Sequence, residues 1–144
     1  MTQTLQTKRQ GWMGLFARAK PDLLALLMPD LVPHDVLRGP EVGAVMVRGR
    51  VGGTGQPFNL GEMTVTRCSV RVGDAVGHAH VQGRDKAHAL RAAILDALMQ
   101  TDMDLQARVL VPLEAKEADH RSLRAAKAAA TKVEFFTLVR GEDK

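Results

Sequence analysis

Between Glu62 and Gln100 the spacing of apolar residues changes once, and that change constrains the fold more than any other feature. From Glu62 to Val72 the chain reads EMTVTRCSVRV, with one set of side chains at Thr64, Thr66, Cys68, Val70 and Val72 and the other at Met63, Val65, Arg67, Ser69 and Arg71. A period of two places these sets on opposite faces of a strand. The first set is mildly apolar and β-branched, which suits a packed sheet surface. The second ends in two arginines and so is only partly suited to a dry core. Gly73-Asp74 then separates this run from a second strand-like run, Val76 to Gln82, and predicts a hairpin. After Gly83 the period becomes helical. Asp85 is placed to cap the start, and Leu90, Ala93, Ile94, Ala97 and Leu98 form a stripe.

A β-hairpin followed directly by an amphipathic helix predicts an α+β fold, with an antiparallel sheet of about four strands and helices mainly on one face. Glu41 to Val51 supplies a further strand, Lys132 to Arg140 (KVEFFTLVR) a last one, and Glu114 to Thr131 an alanine-rich helix. The short apolar run Val109–Val111 ends at Pro112. Before the sheet, Thr2 to Met28 is predicted helical. It breaks at Pro21, and Trp12, Leu15, Phe16 and Ala19 make its apolar stripe. Trp12 reads as a core residue of that stripe, with an interface anchor as the alternative. Pro29, Pro33 and Pro40 are turn signals. The 144 residues suit a single domain, with a helical segment over 2–28 and a sheet-and-helix core over 41–141.

The predicted helix of residues 85–100 has a second apolar side, with Leu95 and Met99 beside Ala92. One layer of helices gives that side no obvious internal partner, so Leu95 and Met99 are candidate contacts for another protein chain. Gly52, Gly53, Thr54 and Gly55 form a loop between two strands. Such a loop is a tight connection or a nest of backbone N–H groups for an anion. It lacks the Gly-Lys-Ser/Thr and the following helix of a nucleotide-hydrolase phosphate loop. Arg67, Arg84 and Lys86, with Arg48, Arg50 and Arg71, are candidates for a basic cluster near it, suited to phosphate or to partner carboxylates. The formal charge of +4 permits either.

Other chemistries find little support. His78 and His80 alternate on one strand face but have no evident third ligand, so no metal is expected. Ser69, Ser122 and Cys68 lack a neighbour placed to activate them, and His34, His88 and His120 lie in no constellation, so no catalytic residue is assigned. Basic residues are not interleaved with stacking aromatics, and only 3% of residues are aromatic, which argues against a nucleic-acid module. A single cysteine suits a reducing cytoplasm. No secretory leader is recognised, and no apolar run approaches the ~20 residues of a membrane span.

The segments GGTGQPFNLGEMTVTRC, VQGRDKAHALRAAILDALMQ and VEFFTLVRG resemble the PhnG family of phosphonate metabolism, a component of the bacterial carbon–phosphorus lyase core complex. The resemblance spreads over most of Val42 to Gly141. It implies a protein acting with the H, I and J subunits of that complex in the breakdown of organic phosphonates. The complex couples methylphosphonate to the ribose C1 of a nucleoside triphosphate, giving alpha-D-ribose 1-methylphosphonate 5-triphosphate. The resemblance further implies no catalytic residues and no cofactor in this chain, the radical chemistry belonging to the J subunit. A phosphorylated nucleoside is then a ligand of the complex. A free-standing binding module for phosphorylated small molecules is the alternative.

Overall fold

A computed structural model describes residues 2–132, and the expected last strand at 132–140 lies almost wholly outside them. In chain order the elements are α1 (Thr2–Arg18), α2 (Pro21–Leu27), β1 (Asp35–Arg50), a 3-10 turn (Val51–Gly53), β2 (Pro57–Val72), β3 (Ala75–Gln82), α3 (Lys86–Met99) and α4 (Met103–Ala130). The fold is α+β. Among the described residues the sheet has three antiparallel strands in the order β1-β2-β3. Residues 1–113 form one compact unit, and Glu114 begins a second.

The change of period survives into three dimensions. Thr66, Cys68 and Val70 of β2 pair with Val81, Ala79 and Gly77 of β3, and this face is buried. Helix α3 lies on it. The approach is closest at Gly77, where an added Cβ would sit 2.7 Å from the Ala97 amide nitrogen and nearer still to the Ala93 carbonyl. Two adjacent turns of α3 therefore rest directly on strand backbone. The β2–β3 turn uses Gly73 at φ 58°, a conformation that costs a glycine no Cβ clash. Asp85 caps α3 by accepting from the His88 backbone N–H at 2.9 Å.

Leu95 and Met99 correct an expectation. Both are fully buried, and they belong to one core cluster with Trp12, Phe16, Leu24, Ile94, Leu105 and Val109. They are not available to another protein chain. The missing cover is supplied by the N-terminal helices, which return over α3. The His88 Nε2–H donates to the Phe16 carbonyl at 2.7 Å, and Arg91 Nε donates to the Met28 carbonyl at 2.9 Å, fixing the ends of α1 and α2 against α3.

Two prolines also behave differently from their usual breaking role. Pro40 falls inside β1, at a register irregularity between Arg38 and Glu41. It is tolerated there because β1 lies at the edge of the sheet among the described residues. Pro112 lies within α4, where it removes the intrahelical bond its N–H would have made to the residue four before it. That helix continues through residues 114–130, which are exposed apart from a half-buried Glu117.

Pairing with β1 begins at Pro57 of β2, whereas pairing with β3 begins only at Val65. Among the described residues, the first eight residues of β2 and the end of β1 therefore continue as a two-stranded ribbon, about 25 Å long at the usual strand rise.

Candidate functional site

The glycine loop is the tip of this ribbon. Gly52 and Gly53 adopt φ 61° and 86°, and the Gly55 N–H bonds back to the Val51 carbonyl at 2.8 Å. A Cβ at Gly55 would lie 2.6 Å from that same carbonyl, so glycine is required for the turn to close. Arg50 Nη1 donates to the Gly55 carbonyl at 3.2 Å, and Thr54 sits exposed at the turn. The loop thus connects two strands, one of the two readings its composition allows, and its own backbone takes part in closing it.

The expected basic cluster is not assembled there. Arg67 lies ten residues along β2 from Pro57, about 33 Å at the strand rise. Its partner is Glu41, 3.5 Å away, in a pair with both side chains about half exposed, and such pairs contribute only ~0–1 kcal/mol. Arg84 and Lys86 flank the start of α3. They follow Gly83, whose N–H bonds to the Thr64 carbonyl near the base of the ribbon. Only Arg48 and Arg50 lie near the tip. Register decides this outcome, because the basic residues are spread along strands that run away from the loop.

Arg67 instead belongs to the sheet face opposite α3. In successive rows that face carries Glu41, Arg67 and His80; Arg38, Ser69 and His78; then Asp35, Arg71 and Val76. Ser69 Oγ and His78 Nδ1 are 2.8 Å apart. Both histidines are exposed, and among the described residues no group of three or more His, Cys, Asp or Glu side chains is placed to hold a metal ion. Cys68 lies on the covered face, and burial pushes its thiol pKa up, against a smaller opposing backbone hydrogen bond at Ser69. A protonated, buried thiol is a poor nucleophile.

The most densely bonded group is one that sequence inspection passes over. Asp96 interrupts the apolar run AILDALM and is completely buried. Its Oδ1 accepts from Arg9 Nε at 3.0 Å and Trp12 Nε1 at 2.8 Å. Its Oδ2 accepts from Arg9 Nη2 and from the His78 backbone N–H, both at 2.8 Å. The carboxylate raises the Arg9 pKa above its ordinary value, chiefly by the hydrogen bond and against the effect of burial. Arg9 also donates to the Val76 carbonyl at 3.3 Å, and Gln100 Nε2 donates to the same carbonyl at 2.7 Å. These side chains occupy the outer edge of β3, which would otherwise present unpaired backbone groups. The site is a structural clasp joining α1, α3 and β3. Trp12, 2% exposed, is a core residue in it. The only hint in the sequence is an acidic residue in an otherwise apolar run.

Comparison with known proteins agrees with the resemblance carried by the three sequence segments. The family described as "Phosphonate metabolism protein PhnG" matches residues 7–141. The chain belongs to the PhnG family. A relative from Rhizobium meliloti (strain 1021) is "Alpha-D-ribose 1-methylphosphonate 5-triphosphate synthase subunit PhnG". It is 46% identical, over 94% of this chain and 90% of its own length. Membership of the PhnG family therefore extends over both the clasp residues and the ribbon.

Proposed function

We propose that this chain is a non-catalytic subunit of an alpha-D-ribose 1-methylphosphonate 5-triphosphate synthase in organic phosphonate catabolism. It assembles with the H, I and J subunits, carries no cofactor of its own, and supports coupling of methylphosphonate to a nucleoside triphosphate. The observation that carries this reading is the 46% identity, over nearly the full length of both chains, to a protein named as a subunit of that synthase. The architecture supports it. The chemically versatile side chains are either spent on the fold, as in Asp96, Arg9, Trp12 and His88, or lie exposed on the open sheet face. Any phosphorylated nucleoside is then bound within the assembly, in the cytoplasm. Among the described residues no helix is long and apolar enough to cross a membrane.

The alternative, a free-standing binder of phosphorylated small molecules, requires the glycine loop and the arginines to act together. Their separation along β2 weighs against it. Size-exclusion chromatography of the chain mixed with the H, I and J subunits distinguishes the two. Stoichiometric co-elution is expected. A chain that elutes alone and by itself retains a nucleoside triphosphate on a filter would contradict the assembly reading.

A further inference from the structure

From Glu114 onward α4 is open to solvent. Residues 114–130, about five turns of helix, are exposed apart from a half-buried Glu117. A helix of that length without packing is marginal in water. Its charged residues are Glu114, Lys116, Glu117, Asp119, Arg121, Arg124 and Lys127, with Lys132 just beyond its end. At about 100° per residue they separate into two sides. Glu114, Glu117, Arg121 and Arg124 fall within an arc of about 80°, with Lys132 in line with Glu114. Lys116, Asp119, Lys127 and the exposed Leu123 fall on the far side, with His120 near Lys127. Between and beside the first group stand only Ala115, Ala118, Ser122, Ala125, Ala128 and Ala129. No bulky side chain on that face holds a second helix away.

The order of the charges selects the occupant. Along the helix this face reads acid, acid, base, base, with spacings of three, four and three residues. The pattern is antisymmetric about residue 119, so reversing it exchanges Glu114 with Arg124 and Glu117 with Arg121. A two-fold axis at that level sets each carboxylate of one helix beside a guanidinium of an antiparallel copy, and every contact occurs twice. A parallel copy would set like charges together. The far side has no such complement, because the same reversal sets Asp119 against itself and Lys116 against Ser122. Arg121 lies 3.4 Å from Glu117 within the helix. Glu114 and Arg124 make no ion pair among the described residues. A second copy supplies the opposite charge to both.

We propose that residues 114–130 of α4 pair antiparallel with the same helix of a second copy of this chain. Glu114 and Glu117 of each copy meet Arg124 and Arg121 of the other. Exposed ion pairs contribute little each, so the dimer is weak and salt-dependent. This contact is independent of the assembly reading and needs none of the other subunits.

Sedimentation equilibrium of the full chain tests the pairing, with the variants E114R, R124E, E114R/R124E and, on the far side, K116E. Far-UV circular dichroism of each at high dilution is the fold control. The natural chain is expected to dimerise as its concentration rises, and less so in about 0.5 M salt. E114R and R124E should each associate at least about tenfold more weakly, because each sets like charges together at two symmetric contacts. The double variant should recover the natural association, and so should an equimolar mixture of the two single variants. In both, a guanidinium again meets a carboxylate at every contact. K116E should match the natural chain. A natural chain that stays monomeric up to ~1 mM would overturn the pairing. So would a mixture of the single variants that fails to recover association, or a loss in K116E as large as in R124E. A monomer whose capture by the H, I and J subunits is lost in R124E would put a different protein on this face, and would overturn it too.

Discussion

Asp96→Ala is expected to destabilise the folded chain by about 3–5 kcal/mol, the scale for breaking a buried charge pair by removing one partner. The carboxylate is completely buried and accepts four hydrogen bonds, from Arg9 twice, from Trp12 and from the His78 backbone. Removing it leaves the Trp12 indole N–H and the His78 amide without an acceptor and the Arg9 guanidinium, itself partly buried, without its counter-charge. Each orphaned buried donor carries a desolvation cost of its own. Asp96→Asn should be milder, because one oxygen still accepts while the new NH2 group faces a donor. The Arg9→Ala/Asp96→Ala pair should lose less than the sum of the single changes, as the two share one interaction. Urea denaturation followed by Trp12 fluorescence measures the natural chain, the three single variants Asp96→Ala, Asp96→Asn and Arg9→Ala, and the pair. A loss below ~1 kcal/mol for Asp96→Ala would mean that the clasp is not holding α1 to the sheet.

Gly77→Val is expected to be comparably damaging, for a reason of space rather than charge. A Cβ at Gly77 meets backbone on α3, the Ala97 nitrogen at 2.7 Å and the Ala93 carbonyl nearer still, with the Ala97 Cβ at 2.9 Å. A flexible side chain can turn aside, but the backbone of a packed helix cannot. The helix must lift off the sheet, and its lifting loosens Ile94 and Leu95, both fully buried. Overpacking of a well-filled core typically costs about 1–3 kcal/mol. Gly77→Ala should fall within that range, and Gly77→Val at its top or beyond. Gly61→Ala is the control, because nothing lies within 4 Å of a Cβ at that position. Thermal melts of the three variants should therefore separate Gly77 from Gly61. Equal melting temperatures for Gly77→Val and the natural chain would show that α3 does not rest on β3 as described.

What could be read from the sequence followed local chemistry. The hairpin turn at Gly73, the covered face of β2 and the Asp85 cap are set by residues within a few positions of one another. Periodicity and turn type carry that information. What could not be read depended on partners far along the chain. Asp96 is satisfied by residues 84 and 87 positions earlier, and an acidic residue in an apolar helix does not announce its acceptor role. Leu95 and Met99 look unpartnered in sequence because the return of α1 and α2 over α3 is a tertiary event that helical periodicity does not encode. The basic residues look clustered because the alternation of a strand is visible from sequence while its length and register are not. Only the pairing of Arg67 with Glu41 and His80 shows that it lies far from the glycine tip. Pro112 is a break by propensity, yet the helix runs through it.

The most direct measurement of the central claim is reconstitution of the synthase with and without this chain. Nucleoside triphosphate and methylphosphonate are supplied to the H, I and J subunits, and formation of alpha-D-ribose 1-methylphosphonate 5-triphosphate is followed by phosphorus NMR. The account predicts product only when this chain is included and none from the chain alone. Full-rate product formation in its absence, or turnover by the isolated chain, would contradict it.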